Sequence, residues 1–385
     1  MTEKLYELDS YCRTFTATVT DCEPCGDGFA VALSRTAFFP EGGGQAADTG
    51  TLNGVAVTDV QIRDGEIRHY TTAPLTVGES VEGVLDWDTR FARMQHHTAE
   101  HIVCGIAHRW HGYENVGFHL GSEDVTLDLD GELTRDQLNA IEDEANRVVW
   151  QNVAVTATIP SAQELATATY RSKKELDGDV RLVTIDGVDC CACCAPHVGS
   201  TGEIGVIKLL DCIRWKGGVR IHLLCGAAAV EDYRLRYTQS AEISAKLSVK
   251  QNDLTPAVDR VLAERDGYKL ALRTANRRLA DALVAAVEPT DRPVYFIGAD
   301  WDTETLRRIV SGLTARCGGL CAAYSGTDGG YTYVLGGTDT LKEAAAHMNA
   351  ALSGRGGGDN RQVQGRVQAT AKEITAYWVS LGAAE

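Results

Sequence analysis

RMQHHTAEHIVCGIAHRW, residues 93–110, places Ile102, Val103, Ile106, Ala107 and Trp110 three and four residues apart, the spacing of one apolar helix face. A helix from about Thr89 divides the chain. Upstream, residues 1–90 break into short β-rich runs, Phe15–Val19, Ala30–Leu33, Ala56–Ile62 and Ile67–Thr71, separated by turn sequences such as CGDG and DGE. They predict a small β-barrel-like domain, or a sandwich, carrying the glycine-rich loop EGGGQ (41–45). Downstream, Thr134 and Gln137 form a capping-box signature ahead of Leu138, Ile141, Ala145 and Val148, which predicts a second helix. Strand-like runs at Val125–Leu129, Val153–Ala157, Val180–Ile185 and Val219–Cys225 complete an α+β domain over 91–227. Residues 228–287 read as a helical connector of two helices broken near Asn252–Pro256. The tail, 288–385, alternates strand (Val294–Gly298), helix (Thr303–Arg316), strands (Leu320–Tyr324, Tyr331–Leu335) and helix (Leu341–Leu352), the last with a capping-box signature at Thr340 and Glu343. The fold class is therefore α+β and multidomain, ending in a small α/β domain.

The 385 residues are 44% hydrophobic and 23% charged, an ordinary globular composition that excludes bulk disorder. No run approaches the roughly 20 apolar residues of a spanning helix, and the charged start lacks a signal-peptide core. A cytoplasmic protein without membrane partners is expected. The net charge of −16 argues against a general nucleic-acid coat, so any such contact must be a local basic patch. Twelve cysteines, four of them crowded at Cys190, Cys191, Cys193 and Cys194, suit a reducing compartment where thiolates remain free for metal.

His97 and His101 lie four apart on the predicted helix, so both imidazoles leave one face about one turn apart. Cys193 and His197 repeat the offset far downstream. Two or three imidazole nitrogens with a thiolate suit Zn²⁺ and disfavour Mg²⁺ or Ca²⁺, which prefer oxygen. Spacing leaves the register open: His96 competes with His97, and Cys190, Cys191 or Cys194 with Cys193. It also leaves two kinds of site, because four protein ligands close a tetrahedron whereas three keep a position for water or substrate. HTAEH (97–101) fits the H-x-x-E-H pattern of inverted zinc proteases as well, with Glu100 activating water. Those enzymes take a downstream carboxylate as third ligand, where this chain offers a Cys/His pair.

Taken in order, TAFFPEGGGQAADTG (36–50), RMQHHTAEH (93–101), CCAPHVGSTGEIGVIKL (193–209) and GVRIHLLCG (218–226) resemble the editing domain of alanyl-tRNA synthetase and its free-standing relatives, the AlaX trans-editing proteins. LSGRGGGDNRQVQGRVQA (352–369) resembles the glycine-rich motif of the C-terminal domain that those synthetases share with DHH-family phosphoesterases. The resemblance covers nearly the whole chain, which starts at the β-rich region with no space for an aminoacylation core, and so is to a long-form AlaX protein. It implies a zinc-dependent aminoacyl-tRNA deacylase that removes serine, or glycine, from the acceptor end of tRNA(Ala), with His97, His101, Cys193 and His197 as the metal set. The alternative is a non-catalytic zinc-containing tRNA-binding module.

Thr36 matches the threonine that in this family touches the serine side chain; otherwise it is an ordinary strand threonine. Gly42, Gly43 and Gly44 suit a close backbone approach to the terminal adenosine, and Gln45 suits donation to a carbonyl or ribose oxygen, the bland reading being a β-turn with an exposed amide. The chain departs from the family's Cys-Gly-Gly-Thr-His at Cys193-Cys194-Ala195-Pro196-His197. Cys22 and Cys25, a C-x-x-C without a second half, read as a turn. On the second connector helix Arg265, Lys269, Arg273 and Arg277 form a stripe that suits either phosphates or plain solvent, given Glu264, Asp266 and Asp281 nearby. Arg355, Arg361 and Arg366 bracket Gly356, Gly357 and Gly358, where flexible glycines beside guanidiniums make the preferred tRNA contact. The sequence leaves the oligomeric state open, a homodimer through the C-terminal domain being one option.

Overall fold

A computed structural model of the protein describes residues 2–121, 125–172 and 180–383. The chain divides into two compact units, 1–239 and 240–385.

In the first unit, β1 (Thr14–Cys25) buries Phe15, Ala17 and Val19 and exposes Thr14, Thr16 and Thr18, the period-two pattern of a strand with one covered face. With β2 (Gly28–Leu33), β3 (Gly50–Leu52), β4 (Val55–Arg63), β5 (Glu66–Thr71) and β6 (Ser80–Leu85) it closes a barrel in the order β1-β2-β5-β4-β3-β6. Its interior packs Phe15, Val31, Leu33, Phe38, Leu52, Val60 and Val81. Cys22 and Cys25 lie within β1, not in a turn, because the hairpin reverses only at the positive-φ Gly26.

Helix α1 (Trp87–His111) follows the barrel directly. Asp86 caps it by accepting from the Thr89 amide, and Gly112 ends it in the left-handed region at φ 72. The helix thus starts earlier than its apolar periodicity indicates, since the first turn is held by a cap and not by burial. Its centre, from Met94 to Ala107, is buried throughout. α2 (Arg135–Gln151) packs on it, and β7 (Asn115–Leu120) and β8 (Val125–Leu129) flank it in sequence. Thr134 and Gln137 form the expected reciprocal capping box on α2.

A three-stranded sheet of β9 (Val155–Thr158), β10 (Leu182–Ile185) and β11 (Asp189–Ala192) delivers the chain to Cys193. Then β12 (Ile207–Trp215) and β13 (Gly218–Cys225) complete a four-stranded sheet in the order β12-β13-β8-β7. Gly105 on α1 permits the approach of the β10–β11 turn, for a Cβ there would sit 2.7 Å from the Val188 carbonyl oxygen. That approach brings Asp189 against the helix.

α3 (Gly226–Leu247) spans the division between the units, and α4 (Leu254–Ala286) begins after a 3-10 turn at Gln251–Asp253, with Pro256 in its first turn where a missing amide costs nothing. The second unit holds a five-stranded sheet of β14 (Val294–Gly298), β15 (Cys321–Thr327), β16 (Gly330–Gly336), β17 (Gly354–Gly358) and β18 (Val363–Val367), ordered β14-β15-β16-β18-β17. α5 (Thr303–Thr314) covers one face through Leu306, Ile309, Val310 and Leu313. α6 (Leu341–Ala351) and α7 (Ala371–Ser380) cover the other through Met348, Ile374 and Trp378.

Two expectations are corrected here. Thr340 does not cap α6: its hydroxyl lies 3.3 Å from that of Thr338 instead. The glycine run is not a flexible loop but edge strand β17, paired with β18 from Gly354↔Val367 to Gly358↔Val363. Among the described residues no helix is long and apolar enough to cross a membrane.

Candidate metal centre

The fold brings the ligand atoms of His97, His101, Cys193 and His197 within 4.8 Å of one another. Cys193 Sγ is 3.6 Å from His97 Nε2 and 3.4 Å from His197 Nε2. A tetrahedral zinc ion, at about 2.0–2.1 Å from nitrogen and about 2.3 Å from sulfur, would set nitrogen–sulfur edges of about 3.6 Å. The edges from Cys193 to His97 and His197 therefore match such an ion in size, and all four side chains match it in ligand chemistry.

Each imidazole is oriented from behind. His97 Nδ1 donates to Gln45 Oε1 at 2.9 Å. His101 Nδ1 lies 3.2 Å from Asp189 Oδ2, and Arg171 grips the same carboxylate at 2.7 and 2.8 Å. For His197 the partner is Thr98, whose hydroxyl donates to the Met94 carbonyl and so must accept from His197 Nδ1 at 3.0 Å. The Nδ1 protons of His97 and His197 are thus committed outward and their Nε2 lone pairs face the Cys193 sulfur, the tautomer a metal requires, whereas His101 Nδ1 lies near Asp189 without an aligned hydrogen bond. Burial pushes the Cys193 thiol up, but His97, His197 and His101 around it prevail and hold it well below its ordinary value. Burial likewise lowers His197 to about 3, keeping that ring neutral.

His96 stands outside the cluster. Its Nδ1 donates to the Ala92 carbonyl and its Nε2 accepts from the Cys225 amide, so neither nitrogen can turn to a metal. Cys191 belongs to a second group with His101 and Asp189, and that Asp189 is already held by Arg171. Among the described residues no carboxylate joins the four-residue cluster: Glu100 Oε2 comes no nearer to His101 Nε2 than 3.7 Å, and its Oε1 accepts from Asn115 Nδ2. The inverted-protease ligand set is thus not what the fold assembles.

Gln45 reaches the cluster through its loop. Gly42 and Gln45 exchange backbone hydrogen bonds of 3.1 and 3.0 Å around Gly43 (φ 62) and Gly44 (φ 86). At Gly44 a Cβ would collide with the Phe118 carbonyl oxygen, so only glycine fits. Gly44 thus meets β7 and helps seat Gln45, whereas a Cβ at Gly43 would meet nothing within 4 Å. Gln45 itself is buried, with its Nε2 lacking a hydrogen-bond partner. Thr36 is 0% exposed and donates to His69 Nε2 at 2.8 Å, His69 Nδ1 being committed to the Val31 carbonyl, and accepts from the Phe38 amide. Arg355, Gly356, Gly357, Gly358 and Arg361 all fall in the second unit.

Residues 180–222, which contain Cys193 and His197, match the family model described as the threonyl and alanyl tRNA synthetase second additional domain. The alanine–tRNA ligase of Methanoregula boonei is 34% identical over 94% of this chain, and the alanyl-tRNA editing protein Aarsd1 of Mus musculus is 26% identical over 99% of this chain and 99% of its own length. The chain is thus similar to alanyl-tRNA editing proteins along their whole length and to part of the alanine–tRNA ligases. It spans 41% of the length of the Methanoregula ligase. Among solved structures, the C-Ala domain of Aquifex aeolicus alanyl-tRNA synthetase aligns with 24% of this chain at 20% identity and a TM-score of 0.21, too loose a match to carry argument.

Where the chain carries Cys194-Ala195-Pro196 between its two ligand candidates, the loop is anchored by Arg181. Its Nη1 donates to the Cys193 and Ala195 carbonyls at 2.9 and 3.0 Å, and Ala195 is buried against the barrel core. Asp189, Arg171 and Thr98 escape a motif search because each acts on a histidine remote from it or on the opposite turn. The one sequence signal is an acidic residue in the strand that leads into Cys193.

Proposed function

We propose that this chain hydrolyses the ester joining a wrong amino acid, serine first, to the 3′ end of tRNA(Ala), with zinc held by His97, His101, Cys193 and His197. The carrying observation is the buried Gln45 Nε2: a donor without a partner, on a side chain whose oxygen is fixed by His97. A buried unpaired donor costs roughly 1–3 kcal/mol, a cost recovered when a substrate oxygen arrives. Zinc, when bound, supplies positive charge that polarises nearby oxygens and organises the surrounding groups. Gln45 then donates to the ester carbonyl or ribose oxygen. Water oxygen bonds to the carbonyl carbon, the bond to the ribose oxygen breaks, and that oxygen takes a proton. An aminoacyl ester is already activated, so placement and one or two preorganised donors suffice.

Gln45→Leu is expected to lower kcat for Ser-tRNA(Ala) by about 10²–10³ at saturating zinc, the cost of one such donor. It should also weaken zinc binding by about 10–100-fold through the loss of the His97 partner. Unchanged kcat at full zinc occupancy removes Gln45 from the reaction.

Thr36 is assigned to serine through its remaining lone pair, since its proton is committed to His69. An acceptor of that kind favours a substrate with a hydroxyl to donate, which places serine above glycine. Thr36→Val should reduce the kcat/KM ratio of Ser-tRNA(Ala) to Gly-tRNA(Ala) and, by stranding His69 Nε2, cost about 1–3 kcal/mol of stability. A preserved ratio in a destabilised protein would leave Thr36 only a structural part.

The completeness of the four-residue set favours one second reading, a closed structural zinc in a non-catalytic tRNA-binding module. Zinc-loaded protein that leaves Ser-tRNA(Ala) intact would establish it.

A further inference from the structure

His69 is a polar side chain enclosed in the barrel. It sits on the buried face of β5, opposite Val31 of β2 on one side and Val60 of β4 on the other. It is 0% exposed, and Phe38 meets its ring edge-on at 5.7 Å. Burial lowers it to about 4, although the Val31 bond opposes the shift, so the ring is neutral at neutral pH. An apolar side chain would pack among Val31, Phe38 and Val60 without the cost of burying two ring nitrogens. Both nitrogens serve one relay instead. The Val31 carbonyl can only accept, so His69 Nδ1, at 3.1 Å, carries the proton. Nε2 of a neutral ring can then only accept, so the Thr36 hydroxyl at 2.8 Å must donate to it. One Thr36 lone pair takes the Phe38 amide at 3.1 Å, which leaves the hydroxyl a single lone pair and no proton to offer. Cys193 and Ala195 of the metal loop pack against the same core cluster that holds Ala37 and Phe38, the residues that follow Thr36.

We infer that His69 is the positioning residue of amino-acid selection: by holding the Thr36 proton it makes that hydroxyl an acceptor only, and so admits side chains that donate a hydrogen bond. This rests on the reading of Thr36 as the residue that meets serine, and deepens it from a hydroxyl contact to a directed one. Glycine or alanine leaves the bare lone pair unpaired, and a substituent with lone pairs but no proton is opposed by it. The class of substrate is therefore a small side chain ending in a donor. A hydroxyl free to rotate would take donors and acceptors alike.

The test uses the zinc-loaded full chain and tRNA(Ala) esterified chemically with serine or with β-fluoroalanine, whose fluorine is close to the hydroxyl in size and has lone pairs but no proton. It reads the ratio of the two kcat/KM values, in which the fraction of folded enzyme cancels. In the parent protein serine should be favoured by at least about 100-fold, since a site built for a hydrogen bond rejects an analogue that cannot make it. His69→Asn keeps an amide donor near the Nδ1 position for the Val31 carbonyl but removes the acceptor. The Thr36 proton can then turn to fluorine, and the ratio should fall at least about tenfold. His69→Gln places an amide oxygen near the Nε2 position and should hold the ratio within about threefold of the parent. An unchanged ratio in His69→Asn, or an equal fall in both variants, overturns the inference. Thr36→Val separates that failure from failure of the reading beneath it: selectivity lost in Thr36→Val but kept in His69→Asn removes His69 alone, and selectivity kept in both removes Thr36 as well. NMR of the histidine ring nitrogens in the parent protein depends on no variant folding. A proton on His69 Nδ1 and none on Nε2 supports the relay, and a proton on Nε2 overturns it.

Discussion

Cys193→Ala is expected to bring zinc content from about one per chain to near zero, and to lower Ser-tRNA(Ala) hydrolysis by several orders of magnitude. The sulfur is the atom on which the His97 and His197 Nε2 atoms converge at 3.6 and 3.4 Å, so its loss removes the hub of the cluster and not one corner of it. Three buried imidazoles would then crowd at ring separations of 4.7–5.4 Å with no thiolate among them. Because metal-binding energy is partly folding energy, the variant should also melt at lower temperature, and added zinc should no longer raise its Tm. Elemental analysis with a zinc-dependent melting series checks both. A zinc-replete Cys193→Ala protein would show that another thiol carries the site.

The second large effect concerns stability. Arg90 and Asp48 form an ion pair of 2.5 Å with both side chains almost wholly excluded from solvent, at 0% and 1% exposure. Arg90 also donates to the Ala37 and Ser10 carbonyls, and Asp48 accepts from the Phe39 amide, so the pair fastens both ends of the 37–48 loop to the start of α1. Arg90→Met leaves the buried Asp48 carboxylate with only the more distant Arg93, at 3.8 Å, a loss of about 3–5 kcal/mol. For a unit of this size that corresponds to a fall of roughly 6–20 °C in Tm. Adding Asp48→Leu should recover much of the loss, since removing both charges leaves neither stranded. The loop also carries Gln45, so the single variant should lose zinc affinity as well as stability. If Arg90→Met melts within about 2 °C of the parent protein, well inside the shift expected for a stranded buried charge, the pair is not the fastening that its burial indicates.

Half of the metal centre is legible in the sequence because the helix period alone forces His97 and His101 onto one face. The choice between His96 and His97 is not, for it depends on the Cys225 amide, which reaches His96 only through the pairing of β12, β13 and β8. Asp189 and Thr98 are hidden for the same reason: a carboxylate in a strand and a threonine in a helix become imidazole partners only after long-range packing. Phe15, Ala17 and Val19 announce a barrel strand by alternation, whereas Gly354–Gly358 carries no strand signal at all. Glycine is a poor strand former, and only pairing with β18 holds that segment extended. The arginines beside it are visible in the sequence as charges. Their opposition across the ladder is not.

The most direct measurement is release of serine from Ser-tRNA(Ala) by the full chain after chelation and again after titration with zinc. The expected result is loss of hydrolysis on stripping and recovery that saturates at one zinc per chain. Hydrolysis that persists in metal-free protein, or a zinc-saturated protein that leaves the ester intact, would contradict a zinc-dependent deacylase.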